Sequence, residues 1–361
     1  MFRSAAVSAV SAIAVSATVA LGAQSAESVT LRGAEVAIYN IAGVVRIERG
    51  AGRDVTVDVR RGGRDGAKLK LESGELRGRQ TLRVIYDADR IVYPKLGRWS
   101  NTTMNVGSDG TWGNSGEDNK WRPWGNRTRV HISGAGDGME AWADLVVHVP
   151  AGTALSIRHA VGEVIADGTD GVLDVDVASA SVDIANVKGH VKVDGGSGNT
   201  TLTNISGDIA LDLGSGSTRL SRIVAGSLKV DAGSGGVSGD NISVSGRFEL
   251  DAGSGNAEFS KLSARRAQFD VGSGGLRADF ITDVDDVKVD AGSGTVTLAF
   301  PENVGAELDI ETGSGGISSD FPIQVSHTER HVLRGTLGDG KGRIRIDAGS
   351  GGVRLLKLVT K

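Results

Sequence analysis

The chain has 361 residues, a net charge of −4, no cysteine and 54 glycines, about twice the ordinary glycine share. Near-neutral charge without a dense basic run leaves no electrostatic footprint for nucleic acid. The lack of cysteine excludes disulfides and a lipid-modified cysteine.

Taken in chain order, the first element is an export signal. Arg3 precedes an uncharged run over 5–21, and the small residues Ala23 and Ser25 offer a cleavage site, so residues 1–26 read as a signal peptide. The run is rich in Ala and Ser and barely long enough to span a bilayer, which favours a cleaved signal over a retained anchor. No later apolar stretch is long enough to span one. The expectation is an exported protein, in the periplasm, at the cell surface or secreted.

Residues 27–150 form an irregular β region. Alternating apolar residues predict strands near 36–38, 45–47, 55–59, 82–86 and 145–149, at uneven spacing. Such a region suits the cap that the open apolar end of a repeat stack needs. All five tryptophans fall between 99 and 142. Trp99, Trp112, Trp121 and Trp124 lie in a Gly/Asn/Ser-rich stretch, 98–126, read as a loop. Aromatic rings on a polar loop stack on sugars or anchor a protein partner. The same rings could instead fold back over the end of the stack. Both readings stay open from sequence.

Residues 151–361 are a repeat region. Gly-Ser-Gly begins at Gly196, Gly214, Gly233, Gly253, Gly272, Gly292, Gly313 and Gly349, in steps of 18, 19, 20, 19, 20, 21 and 36. A unit this short cannot bury its own apolar face and must stack on its neighbours. Three residues before each first glycine stand Val193, Leu211, Val230, Leu250, Phe269, Val289, Ile310 and Ile346. Alternation resumes after the glycines, as in Leu202, Leu220, Phe259, Leu298 and Leu355. A third apolar column follows at Ile205, Ile223, Ile242, Leu262 and Ile281. Weaker copies lie upstream around Ala178–Ala180 and Ala160–Gly162. The fold class predicted is an all-β parallel β-solenoid of about ten coils of 18–21 residues, right-handed by analogy with parallel crossovers. The double step before Gly349 holds a hairpin that closes the stack, with Gly338-Asp339-Gly340 as its turn.

Two residues before each corner stands an acid: Asp176, Asp194, Asp212, Asp231, Asp251, Asp270, Asp290, Glu311 and Asp347. Stacked coils bring these side chains about 4.8 Å apart, where like charges in water repel by about 0.9 kcal/mol per pair. The favoured explanation is an Asx-turn, each Asp accepting backbone N–H groups of its own bend. The sharper alternative is a calcium ladder at Asp194, Asp212, Asp231, Asp251, Asp270 and Asp290. The nine-residue repeat of calcium β-rolls is absent. Glu311 is too long for the same turn and breaks the column.

Other candidates are weaker. His327 and His331 flank Glu329 without a further ligand nearby, and read as an exposed hairpin. Gly335 to Lys341 resembles a phosphate loop, but Gly342 stands where Ser or Thr is required. Asp283, Asp285 and Asp286 break the repeat, as acids do in solenoid enzymes that cut polysaccharides, and read as a solvated turn. No Gly-x-Ser-x-Gly elbow is present. No catalytic residue, resident metal or cofactor is expected.

Three segments together resemble a known family: the strand pair Tyr39-Asn40-Ile41-Ala42-Gly43-Val44-Val45, the strand Val147-His148-Val149-Pro150, and the ending Gly335-Thr336-Leu337-Gly338-Asp339-Gly340 with Ile344-Arg345-Ile346 and Gly351-Gly352-Val353-Arg354-Leu355. They look like the bacterial β-strand-repeat domains of unknown function that carry an adhesin label, related to toast-rack-like domains. The resemblance spans about residues 30–358 and implies a single-stranded β-helix-like fold on an exported protein. It brings no catalytic residues. The expected function is a non-enzymatic adhesion or binding module of the cell envelope that contacts a glycan or an envelope protein. The rivals are a structural spacer and a carbohydrate-active β-helix enzyme.

Overall fold

The computed structural model describes residues 27–113 and 127–358; the signal-peptide reading, Trp121 and Trp124 lie outside them. The chain is a parallel β-solenoid. Residues three before each corner stack coil on coil, Val193 opposite Leu211, then Val230, Leu250, Phe269 and Val289. Beyond the corner a second ladder runs Val164, Val182, Thr200, Thr218, Val237, Ala257, Leu276 and Val296. Alternate residues point inward and are buried, as period-2 patterning demands. The interior is one continuous apolar column. Within it Phe248 packs edge-on against Phe259 and Phe269, with ring centroids 5.0 and 5.3 Å apart, and Phe280 stacks on Phe300 at 5.1 Å. Each such pair adds about 0.5–1.5 kcal/mol beyond its area.

The glycines are needed because the backbones of adjacent coils touch at the corner. A Cβ on Gly233 would sit 2.6 Å from the carbonyl oxygen of Gly214. The second glycine of each triplet is more crowded still, Gly235 lying against Gly216 O. Turn amides bond across coils: Gly233 N to Leu213 O at 2.8 Å, Ser234 N to Gly214 O at 3.0 Å, and so on up the stack.

A second corner, unrecognised in the sequence, is left-handed. Asn186, Asn204, Arg222, Asn241 and Lys261 hold φ of 51–56°, a conformation Asn tolerates best among non-glycine residues. Asn204 Nδ2 donates to Asn186 Oδ1 at 2.6 Å, and Asn186 Nδ2 to Asp167 Oδ1 at 2.7 Å, so the side chains form a short amide ladder outside. The next coil has no such corner. Its strand Leu276–Phe280 runs straight on, Phe280 faces Leu262, and Ile281, expected inside, is exposed.

At the start of the stack, the strand Glu35–Arg49 is a coil in its own right. It lies parallel and in register with Thr153–Asp167, from Val36 opposite Leu155 to Glu48 opposite Asp167. The stack therefore begins inside the region expected to be an irregular cap. Its corner is Asn40-Ile41-Ala42-Gly43, which carries no Gly-Ser-Gly signature. Capping falls to Arg79–Ile85 and Trp142–Val149, which pair onto it, and to Val55–Gly62, which pairs antiparallel with Trp142–Val149. A separate four-stranded sheet contains Arg90–Val92, Asn101–Gly107, Arg127–Ser133 and Met139–Glu140. Part of the stretch expected to be loop is thus strand.

At the far end, chain order and stack order differ. The coil of Gly349, last in sequence, lies between those of Gly292 and Gly313: Val289 faces Ile346, and Ile346 faces Ile310. The chain leaves one rung empty, builds Ala306–Thr312 beyond it, turns back through Ile323–Glu329 and Val332–Leu337, and fills the gap with Gly342–Ala348. The expected hairpin closes the stack, Ile323–Glu329 pairing with Val332–Leu337 and the latter with Ala306–Thr312, but its turn is Arg330-His331. Gly338-Asp339-Gly340, expected to be that turn, instead leads from the hairpin into Gly342–Ala348.

Candidate functional site

The acidic column is as continuous as its spacing implies. Asp194, Asp212, Asp231, Asp251, Asp270, Asp290, Asp347 and Glu311 face one another rung by rung. Its ends are closed by arginine. Buried Arg158 stands opposite Asp176, with Nη2 2.9 Å from Asp174 Oδ2 and Nε 3.8 Å from Asp176 Oδ2. At the other end Arg334 binds Asp309 at 2.8 Å and Glu311 at 2.6 Å. Glu311 does not interrupt the column: its extra methylene reaches the arginine that ends it.

The Asx-turn expectation fails. Among the described residues no carboxylate from Asp194 to Asp290 accepts a backbone N–H of its own bend, because those amides are taken by the preceding coil. Burial and the neighbouring charges instead raise the proton affinity of three members. Burial, then the Asp176 and Asp212 charges, push Asp194 up to about 6 against the pull of Lys192 and Arg158. Burial and the two adjacent carboxylates raise Asp231 and Asp270 as well, against Lys229 and Lys288 respectively. The column supplies one carboxylate per coil, and no three His, Asp or Glu side chains among the described residues gather as a metal cage.

The tryptophans separate by environment. Trp112 is 2% exposed, its Nε1 donating to Asn40 O at 3.3 Å beside the buried Asn40–Tyr86 hydrogen bond. It is a core ring, closed to any ligand, and the sequence expectation of contact is corrected there. Burial of so large a side chain stabilises the first coil. Trp142 packs edge-on against Tyr93 at 5.9 Å. Trp99 is 90% exposed. It follows the 3-10 turn Pro94–Leu96 and Gly97, whose φ of 95° lies in the left-handed region that favours glycine. Gly97 packs against Gly134, and Gly134 N bonds to Ser100 O at 3.1 Å, pinning the bend to the small sheet. The Arg98 guanidinium lies 5.7 Å from the Trp99 ring centroid.

This bend forms one wall of a groove of about 520 Å³. Lys95, Trp99 and Asn101 stand on that side, and Ser179, Ser181 and Ser197 of the solenoid corner on the other. The two walls meet because the small sheet leans on the first coils. Ser179 Oγ and Ser197 Oγ are 2.9 Å apart, the start of a hydroxyl row supplied by the repeat. A flat ring beside hydroxyl, amide and ammonium groups is the equipment for holding a polyhydroxylated chain.

The weaker motifs stay apart. His327 Nε2 lies 3.2 Å from Glu329, without a third ligand. Gly338 and Gly340 have φ of 56° and 70°, and Gly340 N bonds to Leu337 O, so the phosphate-loop-like segment is a turn that joins Val332–Leu337 to Gly342–Ala348. Asp283 accepts its neighbour's amide and Gly305 N, Asp285 pairs with Arg265, and Asp286 with Arg345.

The family model described as Toastrack DUF4097 matches residues 144–356. No curated protein matches the chain. A solved structure from Clostridium sporogenes, called a "putative cell adhesion protein", aligns with 92% of this chain and 100% of its own at 10% identity and a TM-score of 0.19. That score is too low to bear on this chain's fold or role. No helix among the described residues is long and apolar enough to cross a membrane.

Proposed function

The chain belongs to the Toastrack DUF4097 family, and we propose that it serves as an exported, non-enzymatic binding module of the cell envelope, an adhesin in the broad sense. Its contact site is the Trp99 groove and its ligand class is glycan. The observation that carries the reading is the nearly complete exposure of Trp99 on a pinned bend beside polar side chains. A ring that size left in water costs about 2 kcal/mol or more of unused burial, and a rigid aromatic platform recovers it when a sugar face stacks on it.

The test is a glycan panel probed with the purified chain and with Trp99→Ala. The reading expects one or more oligosaccharides to bind the parent chain and to be lost in the variant at an unchanged melting temperature. Retention of binding in Trp99→Ala would move the site elsewhere. A spacer would bind nothing on the panel, and an enzyme would shorten an oligosaccharide.

A further inference from the structure

Far along the stack from Trp99, a second groove of about 490 Å³ crosses the outer face before the corner. Four successive coils each contribute one cation to it: Arg247, Arg266, Lys288 and Arg345. The row rises about 14 Å up the stack at about 4.8 Å per coil and steps sideways once, since Arg266 faces Asp286 while Lys288, two residues further along its strand, faces Arg345. Arg247 is paired with Glu249 at 2.8 Å and Arg345 with Asp286 at 3.5 Å. Arg266 and Lys288 make no ion pair among the described residues, so the groove keeps a positive excess in a chain of net charge −4.

The groove is also shaped. The pairing of adjacent coils slips here, Ala225 facing Val244 but Ser227 facing Arg247, which leaves a bulge at Ser245 and Gly246. Bulges re-aim the side chain that follows them, and here that side chain is Arg247. The bulge brings Gly246 against the carbonyl oxygen of Gly226, so neither wall carries bulk at that end. Arg247 Nη2 is held by Gln268 Oε1 at 2.8 Å, which fixes the guanidinium along the groove.

The geometry points to a second binding site, in which the Arg247–Arg266–Lys288–Arg345 row takes an extended anionic glycan through its carboxylate or phosphate groups. A row of cations spread over four coils fits a chain bearing repeated charges better than one small anion. The lining also holds one acid, Asp286, which is paired with Arg345, and one apolar residue, the buried Ala267. It offers no exposed apolar side chain to enter a lipid surface and no aromatic ring on which nucleobases could stack.

The experiment titrates the purified chain with oligogalacturonate, inorganic polyphosphate and neutral dextran of similar length. Single-stranded DNA and anionic phospholipid vesicles are run alongside. Oligogalacturonate or polyphosphate is expected to bind, more weakly as salt rises, and the stronger of the two identifies the charged group. Arg266→Ala with Lys288→Ala should weaken that binding by roughly tenfold or more, while Arg266→Lys keeps most of it and Trp99→Ala leaves it unchanged. Both side chains are exposed, and equal melting temperatures certify the fold. The proposal is overturned if neither anionic polymer binds, if the double variant binds as the parent does, or if DNA or vesicles bind more tightly than both. The Trp99→Ala arm separates this site from the one proposed above, since either can fail alone.

Discussion

Arg334 Nη2 stands 2.6 Å from Glu311 Oε1, closing a column of carboxylates whose opposite end is closed by Arg158. Between these two arginines the acids have only scattered lysines beside them, and the column stores repulsion that the fold tolerates. Arg158 is buried with Asp174 and Asp176 against it. Arg158→Met should therefore cost about 3–5 kcal/mol, the scale for stranding a buried charge. Combining it with Asp176→Asn should recover part of the loss. Chemical denaturation of the two variants checks both numbers.

The column also makes a pH prediction with an unusual sign. Asp194 titrates at about 6 in the fold against 3.8 when unfolded, so the native state binds the extra proton between those values. Stability from this group is lost as pH rises from about 4 to about 6. Asp194→Asn should be more stable than the parent above pH 6, by on the order of 1 kcal/mol after solvent screening, with the gap closing below pH 4. Buried His159, pushed down to about 4 by desolvation, acts oppositely: its stability is lost as pH falls from about 6.5 through 4. The readout is accordingly the difference between the two melting curves.

Glycine at the corner is set by contact between coils. Gly233→Ala puts a methyl group against the Gly214 carbonyl, backbone against backbone, and should lower stability by about 2 kcal/mol or more. Ser234→Ala between the same glycines should change it by less than about 0.5 kcal/mol. Urea unfolding distinguishes a structural corner from a serine-dependent one.

The inserted coil predicts where the stack comes apart. Gly342–Ala348 is the shared partner of Asp286–Ala291 and Ala306–Thr312. Removing residues 342–361 should strip hydrogen-exchange protection from 306–312 and weaken it at 286–291. Coils near 191–260 should stay protected, since repeats lean mainly on their neighbours. Uniform loss of protection along the chain would show that the stack unfolds as one unit instead.

How much of this was legible in the sequence follows from which contacts are local. The coil spacing, the buried columns and the closing hairpin were readable because alternation and glycine placement recur within each coil. The first coil was hidden because Asn40 to Gly43 turns its corner without the repeated tripeptide. The insertion of Gly349's coil was hidden because Ile346 meets Val289 or Ile310 equally well. Only the 36-residue step hinted at it. The acidic column was visible, but the Asx-turn explanation neglected that the coil below already occupies the amides. Trp99 and Trp112 look alike in sequence. Only the three-dimensional fold buries one beside Asn40 and leaves the other in water.

The central claim is that Trp99 is a ligand platform, and the most direct measurement is glycan-panel binding by the parent chain and by Trp99→Ala, side by side. The account predicts binding of at least one oligosaccharide by the parent and its loss in the variant, with melting temperatures equal. Equal binding by both chains, or none by the parent across the panel, would contradict it.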